Sequence, residues 1–549
     1  MIKYEELDFK KLASDYESLL EGLKTASDVE TAESLIDEID VIRSNFNSMD
    51  SISDFFNKID VNDEYYKEQT KKFNEQSPIF NNLGLKYYSI LSGLKFKGEL
   101  AQVIGPMVIK KAEYSARLLN DDIVPDLTEE QKLISEYNNL VASKKIKFNG
   151  EEMSLSLLAG FLSVQSRKIR KSAHEAYNKA YLELENDLDR IYDSLVKVRD
   201  GIARKLGFKT FTEVGYIRKQ RLNYNRYDVE TFRKLIVKYI VPFVLGKKEK
   251  QRRELGLESL TYYDQGVLFK DGNALPKGDS NLLVSKAIEM YEKISPVLAE
   301  HFRFLKENNL MDLDSRLGKS DGGFCYHIRK INVPLIFANF NNSSNDIKVL
   351  THEFGHALNK FLSKDIKYPE NLYGGTDQGE IHSMTMELLT LPYIDYLTDD
   401  YEKYRYETVY NHLANNCYMC LVDHFQHEIY DKPGMSIKER KETWKKLENI
   451  YMPWLDYSEC DYLARGNFWQ RQLHIFVYPF YYIDYALANI VSLQFYKISL
   501  EDEKKAWEMY FKFCSQGGKY MFRESLAEAG LKSPFDDDTI KEIVDNVKI

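Results

Sequence analysis

Residues 346–363 read DIKVLTHEFGHALNKFLS, and the interpretation of the whole chain starts from this stretch. Its apolar residues recur at spacings of three and four, which predicts one buried stripe along an α-helix, formed by Ile347, Leu350, Phe354, Leu358 and Phe361. His352, Glu353 and His356 lie off that stripe. The stretch therefore predicts a helix that is packed by one face and presents two imidazoles and a carboxylate from another.

Residues 352–356 within this helix form the pattern H-E-x-x-H. Two histidines one helical turn apart can bind a divalent metal while the glutamate beside the first faces the same site. With ten histidines in 549 residues, chance would produce this pattern only ~0.01 to 0.02 times in such a chain. The pattern is typical of zinc peptidases, so we interpret His352 and His356 as metal ligands and Glu353 as a general base.

A catalytic zinc usually has three protein ligands and one position for water, so a third ligand is needed. The metzincin pattern is excluded because asparagine and leucine occupy the positions of its glycine and last histidine. The remaining candidates are His382 and acidic residues on a helix predicted to follow the loop at 371–380. Glu380 and Glu387 lie two turns apart, roughly 10.5 Å along the axis, so both can hardly bind one metal. One is expected to be a ligand and the other to orient an imidazole.

The bulk properties of the chain restrict its class. Five cysteines, an odd number in 549 residues, indicate a reducing compartment, and the N-terminal stretch carries no export signal, so we predict a cytoplasmic protein. A net charge of −10 argues against general nucleic-acid binding. The apolar segment 475–496 is long enough to span a bilayer, but Pro479, Asp484 and Asn489 interrupt it, which argues against a membrane span.

Helical patterns dominate the chain. Apolar residues at three- and four-residue spacing extend over the segments 5–22, 29–60, 62–75, 98–119, 168–206, 228–256 and 282–307. Strand-like stretches are short: they cover 146–148, 325–328 and 335–340, the last two directly before the metal motif. We predict a mainly α fold with a small β-sheet beside the H-E-x-x-H helix, divided into an N-terminal helical region (1–115) and a catalytic region (116–549).

Longer runs around the motif resemble a known family. NFNNSSNDIKVLTHEFGHALNKF (339–361) followed by EIHSMTMELLTLP (380–392) resembles the thimet oligopeptidase and oligoendopeptidase F family of zinc metallopeptidases, particularly its Pz-peptidase-like bacterial branch. Similar runs flank these two: KIRKSAHEAYN (168–178), GKSDGGFCYHI (318–328), HIFVYPFYYIDYALA (474–488) and GGKYMFRESLAEAGLKSPF (517–535). The resemblance covers the chain from about residue 165 to the C terminus.

The resemblance implies the rest of the site. It implies Glu380, 24 residues after His356, as the third ligand of one Zn²⁺ per chain. It also implies a large, two-lobed helical molecule with a deep channel that admits short peptides and excludes folded proteins. His474, Tyr482 and Tyr485 match the histidine and the Tyr-x-x-Tyr pair that contact substrate and stabilise the oxyanion in that family.

These observations predict a zinc-dependent endopeptidase that cleaves short peptides, with Glu353 moving the proton from water to the leaving amine. Two alternatives stay open: a non-catalytic peptide-binding protein that retains the fold, and a zinc hydrolase of a non-peptide amide. The intact Glu353 argues against the first, because binding alone does not need a general base. A second group, Cys417, Cys420, His424 and His427, spans roughly 15 Å on a predicted helix, too far to surround one zinc.

Overall fold

The computed structural model describes residues 2–547, and most of them are helical. The N-terminal part consists of α1 (Phe9–Thr25), α2 (Val29–Ile59), α3 (Glu64–Gly93), α4 (Lys97–Ile104), α5 (Pro106–Ser115) and α6 (Val124–Ala142). A hairpin and two helices follow: β1 (Ile146–Phe148), β2 (Glu151–Met153), α7 (Leu155–Ala159) and α8 (Arg167–Lys205). The prediction of a mainly α fold is confirmed.

The middle of the chain leads into the metal motif. It contains α9 (Phe211–Arg218), α10 (Arg226–Leu235), a π-helical turn (Ile236–Ile240), α11 (Val241–Glu254), α12 (Ser280–Ile294) and α13 (Pro296–Glu307). Three strands, β3 (Met311–Asp314), β4 (Phe324–Ile328) and β5 (Val333–Phe340), precede the motif helix α14 (Ser344–Leu362).

The C-terminal third is helical throughout. Its elements are α15 (Pro369–Leu372), α16 (Thr376–Leu389), α17 (Tyr401–Asp431), α18 (Ile437–Tyr451), α19 (Asp461–Ala464), α20 (Leu473–Val477), α21 (Tyr482–Glu501), α22 (Glu503–Ser515), α23 (Phe522–Glu528) and α24 (Asp537–Asn546). The apolar segment 475–496 is divided between α20 and α21. No helix in residues 2–547 combines the length and the apolar character needed to cross a membrane.

Local chemistry explains where several helices begin. Asp8, Asp28 and Asp63 precede the first three helices, and each side chain accepts a hydrogen bond from a backbone N–H of the first turn. The predicted helix 98–119 is instead two helices, because Gly105 adopts a φ of +95° and a proline follows it. The predicted helix 282–307 is likewise divided at Pro296, since proline starts a helix readily but removes a hydrogen bond inside one.

A three-stranded sheet lies beside the motif helix, as predicted, in the order β3-β5-β4. The central strand β5 is parallel to β3, with Ile336 opposite Met311, and antiparallel to β4, with Ile336 opposite Cys325. β5 is buried along nearly its whole length, whereas most of β4 is half-buried. β4 is one of the two edge strands of the sheet, and β3 is the other.

The motif helix α14 packs as its spacing predicts. Ile347, Leu350, Phe354 and Leu358 are each at most 1 % exposed. Next along the chain, α16 is buried from Asp377 to Leu389 apart from Gly379. Because α16 is enclosed on all sides, its polar side chains must find partners inside the protein.

The N-terminal helices pack directly on the sheet. Phe55 of α2 places its ring 6.4 Å from that of Phe324 and 6.1 Å from that of Phe337. The hydroxyl of Tyr326 on β4 donates to Asp54 of α2 at 2.5 Å. One continuous apolar core joins the two regions, and the boundary at residue 115 stays a prediction.

Candidate metal centre

The candidate metal centre lies where α14 crosses α16. His352 and His356 are one turn apart on α14, with ring centroids 5.0 Å apart and ring planes at 81°. Glu380 projects from α16 towards both rings. This helix begins at Thr376, earlier than predicted, so Glu380 lies in its second turn and not at its start.

The spacing of the three side chains fits a zinc ion. One ligand atom from each of His352, His356 and Glu380 lies within 4.8 Å of the others. Oε2 of Glu380 is 3.4 Å from Nε2 of His352 and 3.7 Å from Nε2 of His356. Tetrahedral zinc with bonds of about 2.0 to 2.2 Å requires ligand atoms roughly 3.3 to 3.6 Å apart. Two neutral imidazoles and one carboxylate are also a donor set that catalytic zinc uses.

Gly355 allows the two helices to come this close. A Cβ atom at this position would lie 2.7 Å from the carbonyl oxygen of His382 and 2.7 Å from Cα of Ser383. Only glycine permits that approach without a shift of backbone. His382 itself is buried, and its ring packs 5.2 Å from that of Phe513, outside the group of ligand atoms.

Glu387 orients one of the ligands. Nδ1 of His352 donates to Oε1 of Glu387 at 2.6 Å, and Oε2 of Glu387 lies 3.1 Å from Nε2 of His412. Burial raises the pKa of Glu387, but the Lys348 charge and the hydrogen bonds from both histidines outweigh it and hold the pKa well below its usual range. With a metal bound, an ionised Glu387 would keep the proton on Nδ1 of His352 and leave the lone pair of Nε2 for the metal.

Glu353 lies beside the ligands with a free oxygen. It is 4 % exposed, and its Oε2 has no hydrogen-bond partner among the described residues. Burial, followed by repulsion from Glu380 and Glu387 and offset in part by His352, raises the pKa of Glu353 to about 7. A carboxyl group with such a pKa can both take and return a proton near neutral pH.

The electrostatics of the site favour a cation. Burial would lower the pKa of His352, but the hydrogen bonds to Glu380 and Glu387 raise it to about 10. Burial would raise the pKa of Glu380, but the neighbouring histidines lower it to about 2. Glu380 and Glu387 therefore stay ionised although they are buried. Their charges create a negative potential, which a divalent ion relieves.

A segment that we call the aromatic corner, residues 478–485, joins α20 to α21 and faces this site. Its Phe480 has a φ of +63°, which is uncommon for a residue with a side chain. The N–H of Phe480 donates to Oε1 of Gln426 at 2.9 Å, and its carbonyl accepts from Arg221. A Cβ atom on Gly215 would lie 2.4 Å from the Phe480 ring, so glycine makes room for the turn.

The structure brings together His474, Tyr482 and Tyr485, the three residues predicted to contact substrate. The His474 ring lies 4.8 Å from that of Tyr482 and 5.8 Å from that of Tyr485. Burial and then the Glu380 charge raise the pKa of Tyr485, with Glu353 contributing, whereas burial alone raises the pKa of Tyr482 to about 12. The pKa of Tyr485 therefore depends on the charges of Glu380 and Glu353, whereas the pKa of Tyr482 does not.

Tyr481, another tyrosine of the run 474–488, also belongs to the site. Its hydroxyl donates to Oε1 of Glu380 at 2.6 Å, so it holds the oxygen that does not face the histidines. Its ring lies 5.2 Å from that of Tyr485. Tyr481 and Tyr485 are four residues apart, a helical spacing that places them on one face.

The second group of cysteines and histidines does not gather around a point. Cys417, Cys420, His424 and His427 all lie along α17. His424 pairs with the hydroxyl of Tyr451 at 3.0 Å, and His427 forms hydrogen bonds of its own on another side. Across residues 2–547, the group with ligand geometry for a metal is the one at α14 and α16.

A mainly helical chain whose H-E-x-x-H helix crosses a helix carrying a glutamate has the architecture of a peptidase built around a metal site. Comparison with family models agrees. The model described as peptidase family M3 matches residues 161–545, and the one described as peptidase M3 N-terminal domain matches residues 1–119. The chain belongs to peptidase family M3.

Individual proteins that are similar to this chain are named as peptidases. The chain is 24 % identical over 550 residues to an oligoendopeptidase F homolog of Borreliella burgdorferi, covering 87 % of this chain and 88 % of the relative. It is 24 % identical over 400 residues to the oligopeptidase PepF of Bacillus subtilis, covering 70 % and 57 %. Among solved structures it is similar to Pz peptidase A bound to an inhibitor, with a TM-score of 0.97, 42 % identity, and coverage of 99 % and 97 %.

Proposed function

We propose that this chain is a zinc-dependent oligoendopeptidase that hydrolyses short peptides in the cytoplasm. The observation that carries the proposal is the buried Glu353, whose unpaired Oε2 lies beside three converging metal-ligand atoms. Membership of peptidase family M3 supports a peptide substrate over another amide. A general base held in this position supports turnover over simple binding.

His352, His356 and Glu380 would hold the metal through Nε2, Nε2 and Oε2. Zinc supplies a Lewis acid that polarises the scissile carbonyl and lowers the pKa of water. Glu387 fixes the ring of His352 through Nδ1, and Tyr481 fixes Glu380 through Oε1. Both contacts hold the ligands in place before substrate arrives, which is what a preorganised site requires.

Glu353 takes a proton from water and returns it to the nitrogen of the leaving amine. Negative charge develops on the carbonyl oxygen of the substrate as the water attacks, before the proton reaches the leaving amine. The hydroxyls of Tyr485 and Tyr482 on the aromatic corner and the ring N–H of His474 on α20 are the donors available to stabilise it. Removing one such donor typically costs ~10² to 10³ in rate.

The surroundings of the site favour an extended, narrow substrate. The side chains of His352 and His356 keep only 16 % and 20 % of their surface exposed. β4 offers an edge on which a peptide backbone can pair without regard to its sequence. We therefore expect short peptides to be cleaved and native proteins to be resistant.

The test is cleavage of quenched fluorescent peptides of about eight residues, a length that spans such a site. Removal of metal with a chelator should abolish cleavage, and added zinc should restore it. Glu353→Gln should lower kcat by ~10² to 10⁴ while zinc content stays at one per chain, because the substitution removes the base and leaves the ligands. Glu402→Gln, an exposed change on α17, serves as the matched control.

Two results would contradict the proposal: no cleavage by zinc-loaded protein, or undiminished cleavage by the Glu353 variant. Rapid digestion of a native globular protein would contradict the restriction to short peptides. Melting temperatures of both variants show whether either change acts through folding.

A further inference from the structure

Three cations lie close together at the C-terminal end of α9, and two of them are paired. Nη1 of Arg218 lies 2.9 Å from Oε2 of Glu130, and Nη2 of Arg221 lies 2.8 Å from Oδ1 of Asp484. Lys219 lies between them in sequence. Within residues 2–547 its ammonium group has no hydrogen-bond or carboxylate partner, and its contacts are with aromatic rings.

The ammonium of Lys219 faces the metal centre across one tyrosine ring. Nζ lies 4.2 Å from the ring centroid of Tyr481 and 5.9 Å from that of Tyr478. The Tyr481 hydroxyl donates to Glu380 at 2.6 Å. Nζ is therefore within roughly 10 Å of the Glu380 carboxylate, the reach of about three residues of extended peptide.

The backbone that carries Lys219 is fixed. Gln220 adopts a left-handed φ of +54°, and its N–H donates to the carbonyl of Ile217 at 2.9 Å. The N–H of Arg221 donates to the carbonyl of Tyr216 at 3.2 Å. These bonds close the end of the helix and hold Lys219 at the wall of the site.

Among the residues that the structure describes, no carboxylate pairs with the Lys219 ammonium. Lys219 is half-buried, and burial lowers its pKa to about 8 although the Asp484 charge acts the other way. Asp484 is already engaged by Arg221 and by the hydroxyl of Thr376. A partly desolvated cation without a counter-ion is costly, and a carboxylate that enters the site would remove that cost.

We propose that Lys219 binds a carboxylate of the peptide substrate within about three residues of the scissile bond; this rests on the proposed peptidase function. The carboxylate has two possible sources, the free C terminus of a short peptide or an aspartate or glutamate side chain. Either source makes Lys219 a specificity-determining residue that acts on binding.

The experiment compares matched peptides on the wild type, Lys219→Met and Lys219→Arg. One pair of peptides ends two residues after the scissile bond in a free acid or an amide. A second pair ends in an amide and carries glutamate or glutamine at one of those residues. Lys209→Met, an exposed change just before α9, is the control.

The wild type should favour the acidic member of at least one pair by about 10-fold to 100-fold in kcat/KM, the range of a charge-assisted hydrogen bond. Lys219→Met should reduce that ratio to near one by raising KM with little change in kcat. Lys219→Arg should retain most of the ratio, and Lys209→Met all of it. The pair that responds identifies the source of the carboxylate.

Binding is measured separately, by fluorescence anisotropy of the same peptides on Glu353→Gln and on Glu353→Gln combined with Lys219→Met. Acid selectivity that survives loss of Lys219, or no selectivity in either pair, would overturn the inference even if every peptide is cleaved. Lys219-dependent binding without any cleavage by the wild type would sustain the inference and contradict the proposed peptidase. Failure of the Lys219 inference can therefore be distinguished from failure of the proposed peptidase function.

Discussion

Each ring nitrogen of His352 faces a different carboxylate. Glu380 faces Nε2 and Glu387 accepts from Nδ1. Because both glutamates come from α16, one helix supplies a ligand and the group that orients another ligand. Glu380 and Glu387 are seven residues apart, and this spacing alone does not show which of them faces Nε2 of His352 and which accepts from Nδ1.

Glu387→Gln should weaken zinc binding by ~10-fold to 100-fold. The amide can still accept from Nδ1, but it loses the charge that favours the protonated nitrogen. Chelator competition on the purified protein measures the change without reference to turnover. The matched control is Glu407→Gln, a neighbouring carboxylate that hydrogen-bonds Ser344 at 3.0 Å and touches no ligand. Equal zinc affinity in the Glu387 variant and the wild type would exclude the orienting role.

The sequence predicted the site residues that lie close together along the chain. His352, Glu353 and His356 follow from one helical turn, and the resemblance to a family supplied Glu380. His412 was not foreseen, because it approaches Glu387 from a different helix, and spacing carries no information across separate helices. Contacts of that kind depend on tertiary packing.

At the scale of elements, the crossing of α14 and α16 depends on the absence of a side chain at Gly355. Gly355→Ala would place Cβ 2.7 Å from the backbone of α16 and force the helices apart. We expect a loss of ~1 to 3 kcal/mol in stability and weaker zinc binding, since Glu380 moves away from the histidines. Thermal unfolding and chelator competition measure the two effects.

Gly379→Ala is the control for that prediction. Gly379 lies on α16 next to Glu380, yet a Cβ there would meet no atom within 4 Å. Alanine favours helix over glycine by up to ~1 kcal/mol, so this variant should be as stable as the wild type or more so. A Gly355 variant that behaved like the Gly379 variant would show that close approach is not required.

The predicted helices agree with the structure where the apolar pattern is uninterrupted and are wrong where glycine or proline divides it, and the predicted strands 146–148, 325–328 and 335–340 are all present. The apolar stripe of α14 gave its helix and its buried face. The strand β3, with the sequence MDLD, was not predicted because four residues, two of them acidic, are too short a pattern to indicate a strand; it is held by pairing with β5. Breaks at Gly105 and Pro296 depend on backbone geometry that apolar periodicity does not report.

At the scale of the whole molecule, the N-terminal helices support the segment that leads into α16. Arg43 of α2 places Nη2 2.6 Å from Oε1 of Glu370 on α15, with 17 % and 2 % of the two side chains exposed. Tyr88 of α3 donates to the same oxygen at 2.8 Å. Nζ of Lys111 on α5 donates to the carbonyl of Glu370 at 2.7 Å. Three N-terminal helices thus anchor the loop before Glu380, the candidate third ligand.

Arg43→Met should destabilise the protein by ~3 to 5 kcal/mol near neutral pH, because it leaves Glu370 buried without a counter-ion. Burial raises the pKa of Glu370, but the charge and hydrogen bond of Arg43 hold it below its ordinary value. The wild type therefore loses the stabilisation from the Arg43–Glu370 pair as the pH falls through the lowered pKa of Glu370. In the variant burial acts largely unopposed, the pKa rises, and protonation relieves the penalty.

The stability gap between the wild type and the Arg43 variant should therefore narrow from about pH 7.5 to about pH 5. Denaturant unfolding at the two values measures it. Arg190→Met removes an exposed pair, 2.6 Å from Glu136, and should cost less than ~1 kcal/mol. A gap that stayed constant or widened on acidification would show that Glu370 is not the group responsible.

The turn at Phe480 ties several parts of one wall together. Its ring fills the space left by Gly215 of α9, its carbonyl binds Arg221, and Asp484 joins Arg221 to Thr376 at the start of α16. Lys219, Tyr481 and Glu380 are connected to this network, so we expect them to keep their positions relative to one another. The separation between the Lys219 ammonium and the Glu380 carboxylate would then stay constant, so this wall would measure out the same length of every peptide that binds.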